Sequence, residues 1–311
     1  MEVDKKEVAV IGLGPGGVSA AVYLKRYGMS PYCFEKELVG GKVNRTEKIE
    51  NYAGIPSIQG PKLGMELETQ LSNLDIKPIY KEAKRLSVNE DGTFHVEYGR
   101  GLSHDFFYVI LANGLLEKPF VIPGQEKFHS RGMSRCAICD GPLYKNKDVA
   151  VIGAGNAAFE EALYLASICH HVFLIARRTE YRAQERIVRE FASLPNTEIL
   201  SPYEAVSADG VDSISSLTVR NRQDGKERTL PVQGLFLYVG EIPNTSFLDI
   251  QGLDDDHGYI VVDERKMTKV KNLFAVGDCT DTLLRQVVTA TSDGAIAATS
   301  IYQDYQRNLH E

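Results

Sequence analysis

The sequence predicts an α/β protein built on two copies of one βαβ unit, and three observations carry that reading. A continuous apolar run, Val8-Ala9-Val10-Ile11, leads straight into a glycine-rich turn, Gly12-Leu13-Gly14-Pro15-Gly16-Gly17. The pattern returns as Val149-Ala150-Val151-Ile152 followed by Gly153-Ala154-Gly155-Asn156-Ala157-Ala158. Between the copies lies Cys136-Ala137-Ile138-Cys139-Asp140, a Cys-x-x-Cys pair with a carboxylate directly after it.

In the first copy the apolar run is what a parallel strand buried on both faces requires. Val18 to Tyr27 has helical spacing, and Tyr32-Cys33-Phe34 is a second strand that ends at Glu35. A G-x-G-x-x-G turn between strand and helix, with an acid about 20 residues on, is a dinucleotide-binding pattern. Its glycines let backbone N–H groups approach a pyrophosphate, and Glu35 can accept from a ribose hydroxyl. A lone glycine-rich turn is weak evidence; strand, turn, helix, strand and acid in register are not.

The second copy differs beyond its second strand. Phe159 to Ala166 is a helix and Val172-Phe173-Leu174-Ile175 a strand, but Arg177-Arg178 and Arg182 follow in place of an acid. A carboxylate there reads ribose hydroxyls, whereas arginines accommodate a 2′-phosphate. Charge runs usually line a solvated helix face, but this position favours a second dinucleotide, NADPH.

The remaining chain is read more coarsely. Gly40-Gly41-Lys42 and Glu50-Asn51-Tyr52-Ala53-Gly54 are polar loops. Lys62 to Leu74 is a helix, and Asp91-Gly92 turns into a strand over Thr93 to Tyr98. An apolar run from Phe106 to Leu111 ends in Ala112-Asn113-Gly114. Pro119, Pro123 and Gly124 then break the pattern, which puts a domain crossing near residue 116 and another at Ile242-Pro243-Asn244. Leu217 to Arg220, Asp224-Gly225 and Gly234 to Gly240 form a hairpin and a closing strand. Leu273 to Val276 is one more strand, running into Gly277-Asp278, and Gln286 to Tyr302 is the closing helix.

At 311 residues the chain can hold two domains. Its 43% hydrophobic and 25% charged content is that of a soluble globular protein, and a net charge of −7 argues against nucleic acid or an anionic membrane as partner. No apolar run approaches the ~20 residues of a membrane span, and the acidic N-terminus is not a secretory signal, so a cytoplasmic location is expected. Five cysteines do not make an extracellular disulfide framework. Zinc would need more ligands at the right spacing than Cys33, Cys169, Cys279 and His170-His171 offer, so no metal is expected. Cys136 and Cys139 on a helix turn are close enough to close a disulfide ring, and helix N–H groups favour a thiolate. The adjoining Asp140 can pass a proton.

Taken together these residues closely resemble the low-molecular-weight thioredoxin reductases. The Gly12 to Gly17 turn with Glu35 resembles their FAD fingerprint, and Glu50 to Gly54 their E-N-[YF]-P-G loop. Cys136 to Gly141 is similar to C-A-T-C-D-G, Gly153 to Ala158 with Glu160-Glu161-Ala162 to the NADPH turn, and Gly277-Asp278 with Arg285-Gln286 to the G-D…R-Q segment. The resemblance implies two Rossmann-like domains. An NADPH-binding domain over 116–245, carrying the cysteine pair, is inserted into a discontinuous FAD-binding domain over 1–115 and 246–311. Implied flavin contacts are Gly12, Gly14, Pro15, Gly16, Gly17, Glu35 and Lys36, then Gly40, Gly41, Lys42 and Asn51, then Ala112 and Gly114, then Asp278, Arg285, Gln286 and Val287. Implied NADPH contacts are Gly153, Gly155, Asn156, Ala157 and Ala158 with Arg177, Arg178 and Arg182. Also implied are a homodimer, a rotation between domains, and a thioredoxin or similar small protein as partner. Cys139 matches the cysteine nearer the flavin, Cys136 the one that attacks the partner's disulfide, and Asp140 the acid/base.

Four positions depart from the family pattern: Lys42 for Gln, Asn113 in Ala-Thr-Gly-Ala, Ala176 for the His before the arginines, and Cys279 after Gly277-Asp278. Competing readings are a flavin-dependent dithiol oxidase, a reductase fed by ferredoxin or another donor, the flavoprotein of a peroxide-reducing system, a ferredoxin–NADP reductase and a non-catalytic redox sensor. The second nucleotide turn counts against the first two. A missing N-terminal disulfide domain counts against the third, the cysteine pair against the fourth, and two cofactor sites around a reactive pair against the last.

Overall fold

The computed structural model describes residues 3–46, 49–118, 120–128, 131–135 and 137–308; the side chains of Glu117, Gln125 and Cys139 are outside that description. The chain forms two compact units, residues 1–116 with 242–311, and residues 117–241. In chain order the first segment holds β1 (Glu7–Ile11), α1 (Pro15–Arg26), β2 (Ser30–Glu35), α2 (Gly60–Ser72), β3 (Ile79–Tyr80), β4 (Ala83–Val88), β5 (Phe94–Tyr98), β6 (Leu102–Phe106), β7 (Tyr108–Leu111) and β8 (Leu115–Glu117). The inserted segment holds β9 (Met133–Ser134), α3 (Ala137–Asp140), β10 (Asp148–Ile152), α4 (Asn156–Ile168), β11 (His171–Ile175), α5 (Glu185–Ser193), β12 (Thr197–Leu200), β13 (Tyr203–Gly210), β14 (Ile214–Asn221), β15 (Glu227–Pro231) and β16 (Gly234–Leu237). The last segment adds β17 (Glu241–Pro243), β18 (Leu273–Ala275) and α6 (Val287–Asn308).

Each unit is organised on a five-stranded parallel sheet, ordered β18-β7-β1-β2-β3 in the first and β12-β11-β10-β16-β9 in the second. The central strands β1 and β10 have neighbours on both sides and layers on both faces, which is why their sequences are apolar without alternation. Successive side chains still point to opposite faces. Val8 and Val10 pack with α1 and α6, while Ala9 and Ile11 pack with Leu86, Phe94, Val96 and Phe106 of β4–β6. The second unit repeats this division. Val149 and Val151 pack under Phe159, Ala162 and Leu165 of α4, and Ala150 and Ile152 over Leu217, Val219 and Leu230 of β14–β15.

An antiparallel three-stranded sheet therefore covers one face of each parallel sheet, β4-β5-β6 in one unit and β13-β14-β15 in the other. The predicted strands and helices occur, with ends shifted by a few residues. The run from Phe106 to Leu111 divides between β6 and β7, and the closing helix extends to Asn308. No helix among the described residues is long and apolar enough to cross a membrane.

Helices α1 and α6 bring their backbones together where the small residues Gly16, Ala20 and Gly294 face each other. The Ser19 hydroxyl donates to the Thr291 carbonyl at 2.7 Å, and the Tyr27 and Tyr302 rings stack with centroids 4.6 Å apart. A Cβ on Gly294 would stand 2.1 Å from the Gly16 oxygen and 2.9 Å from the Ala20 nitrogen, both rigid backbone atoms. Helix propensity alone favours Ala over Gly by about 1 kcal/mol. Overpacking should outweigh it, so Gly294→Ala is expected to destabilise the protein by roughly 2 kcal/mol net and lower its melting temperature by about 5 °C. A rise in melting temperature would refute this packing.

Candidate functional site

In both units the candidate residues gather at the carboxyl ends of the parallel strands, where the strand order reverses. That is the position at which open α/β sheets leave a crevice for ligands. The first reversal lies between β1 and β7, the second between β10 and β16.

At the first, the chain must turn within the space left by its neighbour. Gly12 has φ +97°, and a Cβ there would come within 2.5 Å of the Ala112 carbonyl; a Cβ on Gly17 would reach within 1.9 Å of the Gly12 oxygen. These glycines are needed for the fold itself. Gly14 is not: its backbone is extended, and the nearest atom to an added Cβ is the Gly40 oxygen at 4.0 Å. Neither conformation nor packing calls for glycine at 14, so what it provides is bare backbone facing the crevice. With Pro15 as the first helical residue, α1 starts with no side-chain cap and no acid in its first turn. Its N-terminal N–H groups are thus left for an anionic group.

The buried Glu35 accepts from the Leu13 N–H at 2.8 Å through one oxygen and from the Glu37 N–H at 2.9 Å through the other. It braces the turn, and an ionised carboxylate with two such partners still has lone pairs for a hydroxyl. Lys36 follows it at the surface. Gly40, in the left-handed region, donates its N–H to the Leu13 carbonyl at 2.7 Å and brings Gly41 and the exposed Lys42 to the same edge.

The later residues come to this edge through their own ties. The Asn51 amide donates to the Gln286 side chain at 2.9 Å, and Val287 packs into a small cluster with Val43, Ile49 and Leu63. Asp278 lies on the turn Gly277–Cys279 just past β18. That turn is held from α6 by buried Asp293, which accepts from the Gly277 N–H at 3.1 Å and pairs with Lys266 at 2.8 Å. Arg285 is already occupied. Its guanidinium donates to the Asp278 and Thr280 carbonyls and lies 3.9 Å over the Tyr259 ring, so it shapes the turn that presents Asp278.

Asn113 stands next to Gly12, and Gly114 follows it in the chain. The Asn113 amide donates to the Asn244 carbonyl, while its oxygen is buried with no partner among the described residues. Cys279 is fully buried, and desolvation pushes its thiol up to about 12; it is a packed small side chain. Cys33 is likewise pushed up to about 12 and Cys169 to about 11 by burial, which keeps all three protonated and unreactive.

The second reversal repeats the geometry with one substitution. A Cβ on Gly153 would lie 2.5 Å from the Tyr238 oxygen and 2.7 Å from the Ala158 methyl, so Ala158 stands where the first copy has its third glycine. Gly155 again has extended backbone and nothing within 4 Å of an added Cβ, and α4 begins uncapped with Asn156 and Ala157 exposed. The loop after β11 folds back over this turn: the Arg182 N–H donates to the Ala154 carbonyl and the Gln184 N–H to the Asn156 side chain. Arg177, Arg178, Thr179 and Glu180 from that loop, with Pro202, Arg222 and Gln223, line an open pocket of about 390 Å³. The Arg182 side chain is exposed and does not line it. Ala176 is buried in the core.

Cys136 lies outside the described residues, and of Cys139 only the backbone within α3 is described. Their neighbours are well defined. Tyr238, the residue against Gly153, accepts from the Ala137 N–H at 2.9 Å and so ties the start of α3 to the second turn. The Ser134 hydroxyl donates to the Asp140 carboxylate at 2.6 Å. Gly141 leaves room for Tyr164, Leu165 and Ile168 of α4, each within about 3.3 Å of where its Cβ would be. Ser134, Tyr238, Arg222 and Gln223 have no linear signature; Ser134 lies just before the cysteine motif, and the other three reach their sites from distant segments.

The model of the family described as pyridine nucleotide-disulphide oxidoreductase matches residues 6–294. A thioredoxin reductase of Ureaplasma parvum is 37% identical over 99% of this chain and 99% of its own length. A Bacillus subtilis protein named NADH dehydrogenase is 35% identical over 97% of this chain, which spans 59% of that longer protein. The crystal structure of Lactococcus lactis thioredoxin reductase matches with a TM-score of 0.89 and 33% identity, covering 96% of this chain and 98% of that one. These similarities imply a flavin and a pyridine nucleotide, and the two uncapped helix starts with bare glycines at 14 and 155 fit two such ligands. Matched over nearly its whole length, the chain belongs to the pyridine nucleotide-disulphide oxidoreductase family, among relatives that include its thioredoxin reductases.

Proposed function

We propose that the protein is an NADPH-dependent, FAD-containing thioredoxin-disulfide reductase that works in the cytoplasm as a homodimer. The observation that carries this reading is the Cys-x-x-Cys-Asp segment, held by Tyr238 against the second nucleotide turn in a chain that has a complete first turn as well. Residues 1–115 and 246–311 would hold FAD through Gly14, Glu35, Asn51, Gly114 and Asp278. Residues 116–245 would hold NADPH through Gly155, Arg177 and Arg178. Bound in these places, the two cofactors supply two reducing equivalents to the cysteine pair.

The chain's own residues then perform thiol–disulfide exchange. The Cys136 thiolate attacks one sulfur of the partner's disulfide, forming a mixed disulfide and releasing the other sulfur as a thiolate. Asp140 supplies the proton to that departing thiolate, and the Ser134 hydroxyl keeps its carboxylate in place. Cys139 then displaces the second partner sulfur, closing Cys136–Cys139 and leaving the partner as a dithiol.

An anaerobic titration with NADPH tests the whole assignment. Loss of flavin absorbance that consumes more than one equivalent supports a flavin in communication with a reducible disulfide. A protein bleached by a dithiol but not by NADPH would turn the assignment to the dithiol oxidase or to another electron donor. Cys139→Ser should still be bleached by NADPH while its thioredoxin-reducing turnover falls by a factor on the order of 10³ or more. Unchanged turnover would remove Cys139 from its role. Replacing Arg177 and Arg178 together by Ala should raise KM for NADPH about 50-fold and leave KM for NADH within about twofold, since only NADPH carries the 2′-phosphate. Equal effects on both would reject the phosphate role.

A further inference from the structure

The pocket beyond β11 is lined by a cation besides Arg177 and Arg178. Arg222 stands at the start of the β14–β15 hairpin turn, 40 or more positions from Arg177 and Arg178, yet lines the same cavity. Three contacts fix it. Its backbone N–H donates to the Pro202 carbonyl at 2.9 Å, its Nη1 donates to the Arg177 carbonyl at 3.2 Å, and its Nε lies 3.5 Å from a Glu204 carboxylate oxygen. These contacts occupy Nε and Nη1, leaving Nη2 for another acceptor. A guanidinium already held in this way loses little freedom when it binds an oxyanion.

The charge balance points the same way. Three arginines line the pocket with one carboxylate, Glu180; Arg222 also pairs with Glu204, whereas among the described residues the guanidiniums of Arg177 and Arg178 have no ion-pair partner. Converging like charges repel one another unless an anion joins them. Ala176, directly before Arg177, does not contribute, since its methyl is in the core.

We propose that Arg222 is a specificity-determining residue for the 2′-phosphate of NADPH: a third cation, delivered by the antiparallel sheet that covers the second unit. This rests on the NADPH assignment above, and the test separates the two. The probes are 2′,5′-ADP, which carries the phosphate, and 5′-AMP, which lacks it at the 2′ position, titrated calorimetrically into the intact protein. Arg222→Ala should weaken 2′,5′-ADP roughly tenfold, leave 5′-AMP within about twofold, and raise KM for NADPH with kcat unchanged. Its 2′,5′-ADP affinity should also fall less steeply with added salt than that of the unsubstituted protein. Arg222→Gln, which keeps a donor toward the Arg177 carbonyl, guards against a disturbed hairpin and should show the same selective loss. Equal weakening of both probes would make Arg222 a merely structural residue and overturn the proposal. No effect of Arg222→Ala, where the Arg177/Arg178 double variant does lose NADPH selectivity, would overturn it and leave the NADPH assignment standing. If neither variant distinguishes the probes, both fail together.

Discussion

No side chain fits between Gly12 and Gly17. A Cβ on Gly17 would approach the Gly12 oxygen to 1.9 Å, so where β1 and α1 come together both positions must lack a side chain. That approach sets where α1 begins, and with it the direction in which its free N–H groups point. Glu35 reaches Leu13, and Gly40 reaches the Leu13 carbonyl, only because the turn is this tight. The second unit meets the constraint less strictly, with the Ala158 methyl where the first has hydrogen. Tyr238 fills the side of the turn next to Gly153 and uses its hydroxyl to hold Ala137. The position of the cysteine-bearing helix α3 thus depends on the same backbone crowding that shapes the nucleotide turn.

Burial of β1 and β10 on both faces has a second consequence. Strands that exchange all their side chains with a core cannot offer chemistry along their length, so polar groups concentrate where the strands end. The layers covering the two faces are then free to differ. Helices cover one face of each sheet and three antiparallel strands the other. The antiparallel layer contributes at its loops: β13–β15 sends Arg222 and Gln223 to the pocket of Arg177 and Arg178. The overall charge of −7 says nothing of this local reversal of sign, because a cluster of arginines acts over a few ångströms and distant acids are screened.

How much could be read from the sequence follows from these distances. The two βαβ units are legible because strand, turn and helix are consecutive, and both the periodicity and the glycines lie within about thirty residues. The covering layers are harder. β14 and β15 announce themselves through Asp224-Gly225, but β4, with Lys84, Arg85 and Ser87, buries only Leu86 fully and lacks a clear alternation. Helix α5 buries just Ile187 and Phe191 among charged residues, so it resembles a solvated loop. Site residues that act through a single side-chain bond leave no trace of it in the local pattern. Ser134 is an ordinary strand serine until Asp140 is placed beside it, and Tyr238 an ordinary apolar-strand tyrosine until Ala137 is.

The departures from the family pattern are where local rewiring is concentrated. Cys279 substitutes bulk without reactivity, since full burial and the Val276 carbonyl at 3.3 Å keep its thiol neutral. Asn113 has an amide long enough to reach the Asn244 carbonyl, which joins the end of the β7 segment to the chain returning after β17. Its buried oxygen, left without a partner beside Gly12, is costly unless something donates to it. An N–H or O–H group in the adjacent crevice would satisfy it, so this position too fits a polar ligand better than an empty cleft. Ala176 removes a side chain from a place that faces the core, and Arg222 supplies a cation from another layer. The same charge demand can therefore be met from a different strand, because what a phosphate selects is the convergence of guanidiniums in space and not their order in the chain.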